Sequence, residues 1–388
     1  MNTLTLFPRI TVLFGLSLIS SFIIFALGRY LFEKIGLLDN PAPYGHKRAP
    51  VPFGIGSLLY LNFLLFGLFL SPTLGEVNQH RLTIILILGA IVTLVSFVDD
   101  LDTIYKFDRE SKSNVKKTAE ELGKMRRDTP FFVPAKVRLA MQVIIGIIIG
   151  ITSIKISYVS NIFGGVIYLD QYYIVLGSLQ IYLIPLIFTV AWYVLVFNSL
   201  NWSDGVPGLT SGLSLVVLIT MTILTIKLYL VDPTSPSQVN SVFVLTCLAV
   251  FIPSVLIGWI YNLRPQVLLG ESGTMFLAFM IATLAIIAGG KIATVAAVLG
   301  IYLIDALYVI LMRLYNKQNP LSGDRIHHLH YRLMNMGMSE NFVRYFVYSL
   351  AFLFGMAAIF LDKIGKIIIF FVLILIVVFI TKILSLKK

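Results

Sequence analysis

The sequence predicts an all-α, polytopic integral membrane protein, and three observations carry that prediction. Of the 388 residues, 58% are hydrophobic and only 13% charged, against about 25% charged in a soluble domain. Mean hydropathy is +0.91. Apolar runs of roughly 17 to 25 residues, each long enough to cross a bilayer, recur along the whole chain and leave no room for a sizeable soluble domain. Residues 1–388 therefore read as one membrane-embedded unit.

Taken in order, the runs place about eleven transmembrane helices. The first, 10–32, has Arg9 before it and Arg29 and Lys34 near its end, with no small-residue cleavage site. It reads as an uncleaved helix with its N-terminus outside, not a signal peptide. The second, 54–71, opens after the turn residues Pro52, Gly54 and Gly56, and the third, 82–98, stops at a run of acids. Spans 137–155 and 181–198 follow, then 209–230, which starts after the glycine turn Gly205–Gly208. Spans 241–261, 273–289, 292–312, 342–361 and 365–385 complete the set.

Alternation from that start puts segments 33–53, 99–136, 199–208, 262–272 and 313–341, with the terminal LSLKK, in the cytoplasm. About 23 of the 30 Lys and Arg residues fall in or beside those segments, as the positive-inside rule requires. Topology and anionic lipid headgroups thus account for the net charge of +11, and no nucleic-acid partner is needed. Cys247, the one cysteine, lies in an apolar run, so no disulfide or cysteine metal site is expected. The stretch 105–130 is charged throughout and reads as a cytoplasmic insertion that forms a short surface helix without chemistry.

The acidic and polar clusters gather on this one face. In SFVDDLDTI, Asp99, Asp100 and Asp102 follow directly on the third span. Adjacent carboxylates at a membrane edge repel and lose solvation, so a cation or a proton is needed to offset them, unless the helix end is simply solvated. Magnesium suits such a place because it takes one or two carboxylates and shares the rest of its sphere with phosphate and water. In FNSLNWSDGVPGLTSG, Asn198, Asn201 and Asp204 precede the glycine turn, where free helix amides favour phosphate. Capping by Ser203 or Asp204 is the simpler alternative. GWIYNLRP, with Asn262, Arg264 and Pro265, leads into VLLGESGTMFLAF, where Glu271 stands at the start of a helix whose positive end would favour an acid in any case.

NPLSGDRIHHLHYRL holds His327, His328 and His330 with Asp324, Arg325 and Arg332, a set suited to neutralising phosphate. Zinc is disfavoured, since there is no HExxH pattern and no cysteine ligand. A fifth segment carries Asp39, His46, Lys47 and Arg48, and a basic stop signal with turn residues suffices to explain it.

In this order, on these segments, the motifs resemble the polyprenyl-phosphate N-acetylhexosamine-1-phosphate transferases (glycosyltransferase family 4), over roughly residues 35–340. The DRIHHLHYRL loop is similar to that of the O-antigen and teichoic-acid initiators more than to that of the peptidoglycan enzyme. The resemblance implies catalytic roles for Asp99 and Asp100 and a metal site at Asp100 and Glu271, holding Mg2+ with Mn2+ as a substitute. It implies that Lys136 and Gln142, opening the next helix, lie near the donor phosphates. Substrate binding would fall to Lys136, Asn198, Asn201, Asp204, His328, His330 and Arg332, with Asp305 near the end of its helix.

Three positions depart from the family pattern. Pro207 stands where a second aspartate is usual, Tyr331 replaces a histidine, and Glu271 replaces the metal aspartate of Gly-Asp-Ser-Gly. The implied reaction joins a UDP-sugar, with GlcNAc the expected sugar, to undecaprenyl phosphate at the cytoplasmic face of a bacterial inner membrane, with a homodimer as one assembly. Two alternatives remain at this stage. An ion-coupled transporter would place ionisable groups at mid-membrane, where only Asp305 is a candidate, about 12 Å along its helix from Arg313. A member of the family that has lost activity would explain Glu271 and Pro207.

Overall fold

The computed structural model describes residues 3–39, 41, 49–111, 133–161, 165–177, 179–232, 234–289, 292–319 and 327–386. Among them run twelve α-helices: α1 (Thr3–Ile35), α2 (Ser57–Leu70), α3 (Glu76–Ser111), α4 (Ala135–Ile151), α5 (Leu183–Ser203), α6 (Leu209–Val231), α7 (Ser235–Leu263), α8 (Gly270–Ile287), α9 (Ile292–Tyr315), α10 (Leu329–Asn335), α11 (Glu340–Phe360) and α12 (Lys363–Leu386). Each expected span falls on a helix. Eight of these helices are long and apolar enough to cross a membrane. The remaining three expected spans fall on α2, α4 and α12.

The connection from α4 to α5 adds what the span pattern does not show. It folds into two antiparallel hairpins, β1 (Tyr158–Ser160) with β2 (Val166–Tyr168) and β3 (Tyr173–Leu176) with β4 (Leu179–Tyr182). The strands are rich in β-branched and aromatic residues, and Gly165 and Gly177 stand at their turns.

At the centre of the bundle stands α8. Of its residues all but Glu271 are buried, so the helix is apolar around its whole circumference apart from small hydroxyls. It packs against α2, α3, α5 and α6. Aromatic rings lock it in place, with Phe276 edge-on to Tyr60 of α2 at 5.4 Å and to Phe251 of α7 at 5.5 Å between ring centres. A polar cluster ties α1, α2 and α7 together: Asn62 donates to Ser17 at 3.0 Å and Ser254 at 2.7 Å, and Ser20 donates to Asn62 at 2.6 Å. The single acid at the head of the central helix is thus held in a fixed frame.

Candidate active site

One end of the bundle collects the C-terminal half of α3, the start of α4, the α5–α6 turn, the end of α7, the head of α8 and the loop before α10. Asp100 organises the head of α8. Its Oδ1 accepts from the backbone N–H of Glu271 at 2.6 Å, and its Oδ2 accepts from the Ser272 N–H at 3.0 Å and the Ser272 hydroxyl at 2.6 Å. These are amides the helix itself leaves unpaired, so Asp100 caps α8 from another helix. Gly270 makes room for it. Its φ is +73°, and a Cβ there would lie 2.6 Å from Asp100 Oδ1.

With the helix head already satisfied, the Glu271 side chain is directed elsewhere. A single nitrogen, Nη1 of Arg138, lies 2.9 Å from Asp99 Oδ2 and 3.1 and 3.0 Å from Glu271 Oε1 and Oε2. Asn201 Nδ2 also donates to Glu271 Oε1, at 3.2 Å. One cationic nitrogen among three carboxylate oxygens marks a position built for positive charge. The sequence reading expects Asp100 and Glu271 as the metal pair. In the structure Asp99 and Glu271 share the Arg138 guanidinium, and Asp100 is engaged in the cap.

Arg138 is the residue that reading missed. It lies two positions after Lys136, which is exposed and makes no hydrogen bond or ion pair among the described residues. A basic residue at the start of a predicted span passes as a topology signal. What would have singled it out is the spacing: residues two apart point to different faces of a helix, so one of the two cations had to turn inward.

Gln142 and Asn198 tie α4 to α5. Asn198 donates to Gln142 Oε1 and to the Val194 carbonyl, both at 2.7 Å, so both its amide hydrogens are used inside the helix pair. Asp204 sits at the α5–α6 turn and accepts from Thr274 Oγ1 at 3.2 Å, one turn along α8 from Glu271. It retains exposed surface while protein surrounds it, as in a cleft wall, and desolvation pushes its carboxyl up to about 6 against hydrogen bonds from Thr210 and Thr274.

The turn is braced from behind. Asn262 accepts from Gly208 N at 2.5 Å and donates to the Val267 carbonyl at 3.0 Å. Arg344 Nη1, from α11, donates to the carbonyls of Pro207 at 2.6 Å and Leu263 at 3.0 Å. Pro207 therefore contributes a backbone acceptor at the position where the resemblance expects a carboxylate.

A second group faces the same turn. Asp305, fully buried just past the middle of α9, accepts from the Leu329 N–H at 3.0 Å and pairs with His328 Nδ1 at 2.8 Å and Arg332 Nη2 at 3.4 Å. It caps α10 and orients the histidine, which accounts for the one acid that suggested an ion pathway. The His328 ring lies 5.4 Å from that of Trp202 at the end of α5. His330 is completely buried, with the rings of His328, Tyr331 and Tyr302 around it, and neither of its nitrogens has a hydrogen-bond partner among the described residues. Burial and the neighbouring His328 push it down to about 3, so it is neutral at physiological pH. Its Nε2 is close-packed on Gly205, where a Cβ would come within 2.1 Å.

The two groups thus meet at the Asp204–Gly205 turn. Asp39 stands apart, since it closes its own loop by accepting from Val51 N at 3.0 Å. His46, Lys47, Arg48, Asp324, Arg325 and residues 112–130 of the charged insertion lie outside the described residues; the start of that insertion continues α3 to Ser111.

The sequence profile of glycosyl transferase family 4 matches residues 82–289, which run from α3 through α8 and hold both acids and Arg138. A probable undecaprenyl-phosphate N-acetylglucosaminyl 1-phosphate transferase of Bacillus subtilis is 26% identical, over 92% of this chain and 86% of its own length. A decaprenyl-phosphate N-acetylglucosaminephosphotransferase of Mycobacterium leprae is 25% identical over 81% of this chain and 76% of its own. A phospho-N-acetylmuramoyl-pentapeptide-transferase of Prochlorococcus marinus is 23% identical over 73% and 69%. With more than half its length matched by that profile, and the matched part holding Asp99, Asp100, Arg138, Asn201, Asp204 and Glu271, this multi-pass membrane protein belongs to glycosyl transferase family 4.

Proposed function

We propose that the protein is a phospho-sugar transferase that moves N-acetylhexosamine 1-phosphate, with GlcNAc as the sugar, from a UDP-sugar to undecaprenyl phosphate, beginning a cell-envelope polysaccharide. The observation that supports this most is the placing of Asp99 and Glu271, the latter bonded to Asn201, around one cation position at one end of a membrane bundle. An acceptor that never leaves the bilayer and a soluble donor can meet only at such an end. The density of Lys and Arg in the sequence supports placing that end at the cytoplasmic face of the bacterial inner membrane.

The donor set fits a divalent ion shared with substrate. Two carboxylates converge on one point, and no group of three or more His, Cys, Asp or Glu residues among the described ones forms a closed protein cage. Magnesium favours that arrangement. Asp99 and Glu271 would hold it, and it supplies charge neutralisation to the transferred phosphoryl group when bound. Asp100 fixes the head of α8 and so the carboxylate of Glu271.

In the reaction an oxygen of the acceptor phosphate attacks the sugar-proximal phosphorus of the donor. The bond to the uridylyl phosphate breaks, UMP leaves, and a polyprenyl diphosphate sugar remains in the membrane. Because a phosphate monoester has a second pKa near 6, the acceptor is largely dianionic at neutral pH and the step needs no strong base. Asp99 orients it. Lys136, exposed beside the site, His328 held by Asp305, and Arg332 neutralise the donor phosphates, while Asp204 and Asn201 face the nucleotide side.

Purified protein incubated with undecaprenyl phosphate, Mg2+ and a panel of UDP-sugars should release UMP, fastest with UDP-GlcNAc. No UMP with any donor, in Mg2+ or Mn2+, would remove the transferase reading.

A further inference from the structure

Arg138 Nη1 fills the point on which the carboxylates of Asp99 and Glu271 converge, and those two would hold a divalent ion. Its Nη1 is within 3.1 Å of three carboxylate oxygens, whereas magnesium binds oxygen at about 2.1 Å, so the two cations cannot occupy the point together. With Arg138 in place the carboxylate pair already has a cationic partner, at 2.9 Å from Asp99 and 3.0 Å from Glu271. A divalent ion added beside it would face a guanidinium at contact distance, a repulsion that is large in a partly desolvated site. The Arg138 side chain is 20% exposed and that of Glu271 14%, so the guanidinium has a way out to water and the carboxylate a way in for an ion. Glu271 also suits this pairing. Its extra methylene lets both oxygens reach Arg138 while its backbone N–H stays bonded to Asp100.

We propose that Arg138 is an internal latch on the Asp99–Glu271 pair: it holds the two carboxylates together in the metal-free protein, and a divalent ion enters only as the guanidinium swings out. The latch rests on the reading of Asp99 and Glu271 as metal ligands. It keeps the carboxylates ordered before substrate arrives and makes the resting protein a weak metal binder. The displaced guanidinium is then available to an arriving phosphate.

Two measurements test it without turnover. Binding of Mn2+ to the full chain in detergent, followed by the loss of the free-ion magnetic resonance signal, should tighten on the order of tenfold in Arg138→Gln, a change worth about 1.4 kcal/mol. Arg138→Lys, which keeps the charge, should stay near wild type. A merely structural role would weaken binding in both. In wild-type protein, Mn2+ should also speed modification of Arg138 by phenylglyoxal several-fold, read by mass spectrometry, and this needs no variant to fold. Equal or weaker Mn2+ binding in Arg138→Gln, or protection of Arg138 by Mn2+, would overturn the latch while leaving the metal site standing if Glu271→Gln still abolishes binding. Unchanged Mn2+ binding in Glu271→Gln would place the metal elsewhere, and both the metal reading and the latch would fall.

Discussion

A glutamate carries its carboxylate about 1.5 Å farther from the backbone than an aspartate does. At position 271 that distance is used. The backbone N–H is tied to Asp100, and the side chain spans from the head of α8 to Arg138 on α4 and Asn201 on α5. His330 shows a different economy, a polar ring buried without a partner and kept neutral. Its folded pKa of about 3 lies below the ordinary 6.5, so the unfolded chain takes up a proton first as the pH falls. The stability it contributes is complete above pH 6.5 and is lost progressively as the pH falls toward 3, with a slope of at most about 1.4 kcal/mol per pH unit. Thermal midpoints in detergent across that window should fall less steeply for His330→Gln than for wild type. An identical slope in the two would show that His330 is protonated in the folded protein.

At the scale of the element, α8 depends on an acid from α3. Asparagine at position 100 keeps one acceptor and presents an amide to donors, so Asp100→Asn loses the charge and at least one of three hydrogen bonds. The expected cost is roughly 1 to 3 kcal/mol, seen as a lower thermal midpoint together with lost UMP release. Asp99→Asn should also lose UMP release but with a smaller fall in the midpoint, because Arg138 keeps Glu271 as its partner. Equal midpoint losses in the two variants would remove the distinction between cap and site.

The helices themselves were legible because a bilayer imposes length and hydropathy on every span. The site residues were legible in part, since acids, asparagines and histidines are costly at a membrane edge. The place of Asp100 at the head of α8 was not. It arises from a contact 172 residues apart in sequence, between Asp100 and Ser272, which no local pattern encodes. Arg138 was hidden by the same basic residues that reveal topology, and the hairpins by strands too short to compete with the spans around them.

For the whole molecule, every polar group argued to act lies at one end of the bundle, while the opposite end carries the hairpins. The acids of α3 and α8, the α5–α6 turn and the histidine loop reach that end from distant parts of the chain; the buried α8 fixes the acids and the turn to one another, and Asp305 and Gly205 hold the loop. Such an end joins a lipid-borne acceptor to a soluble donor without moving either through the membrane, and the account stands on its carboxylates being the place where the two are joined. UMP release from UDP-GlcNAc and undecaprenyl phosphate, measured on wild type and on Glu271→Gln with matched thermal midpoints, tests this most directly. The account predicts Mg2+-dependent release by the wild type and none by the variant; wild-type rates in Glu271→Gln would contradict it.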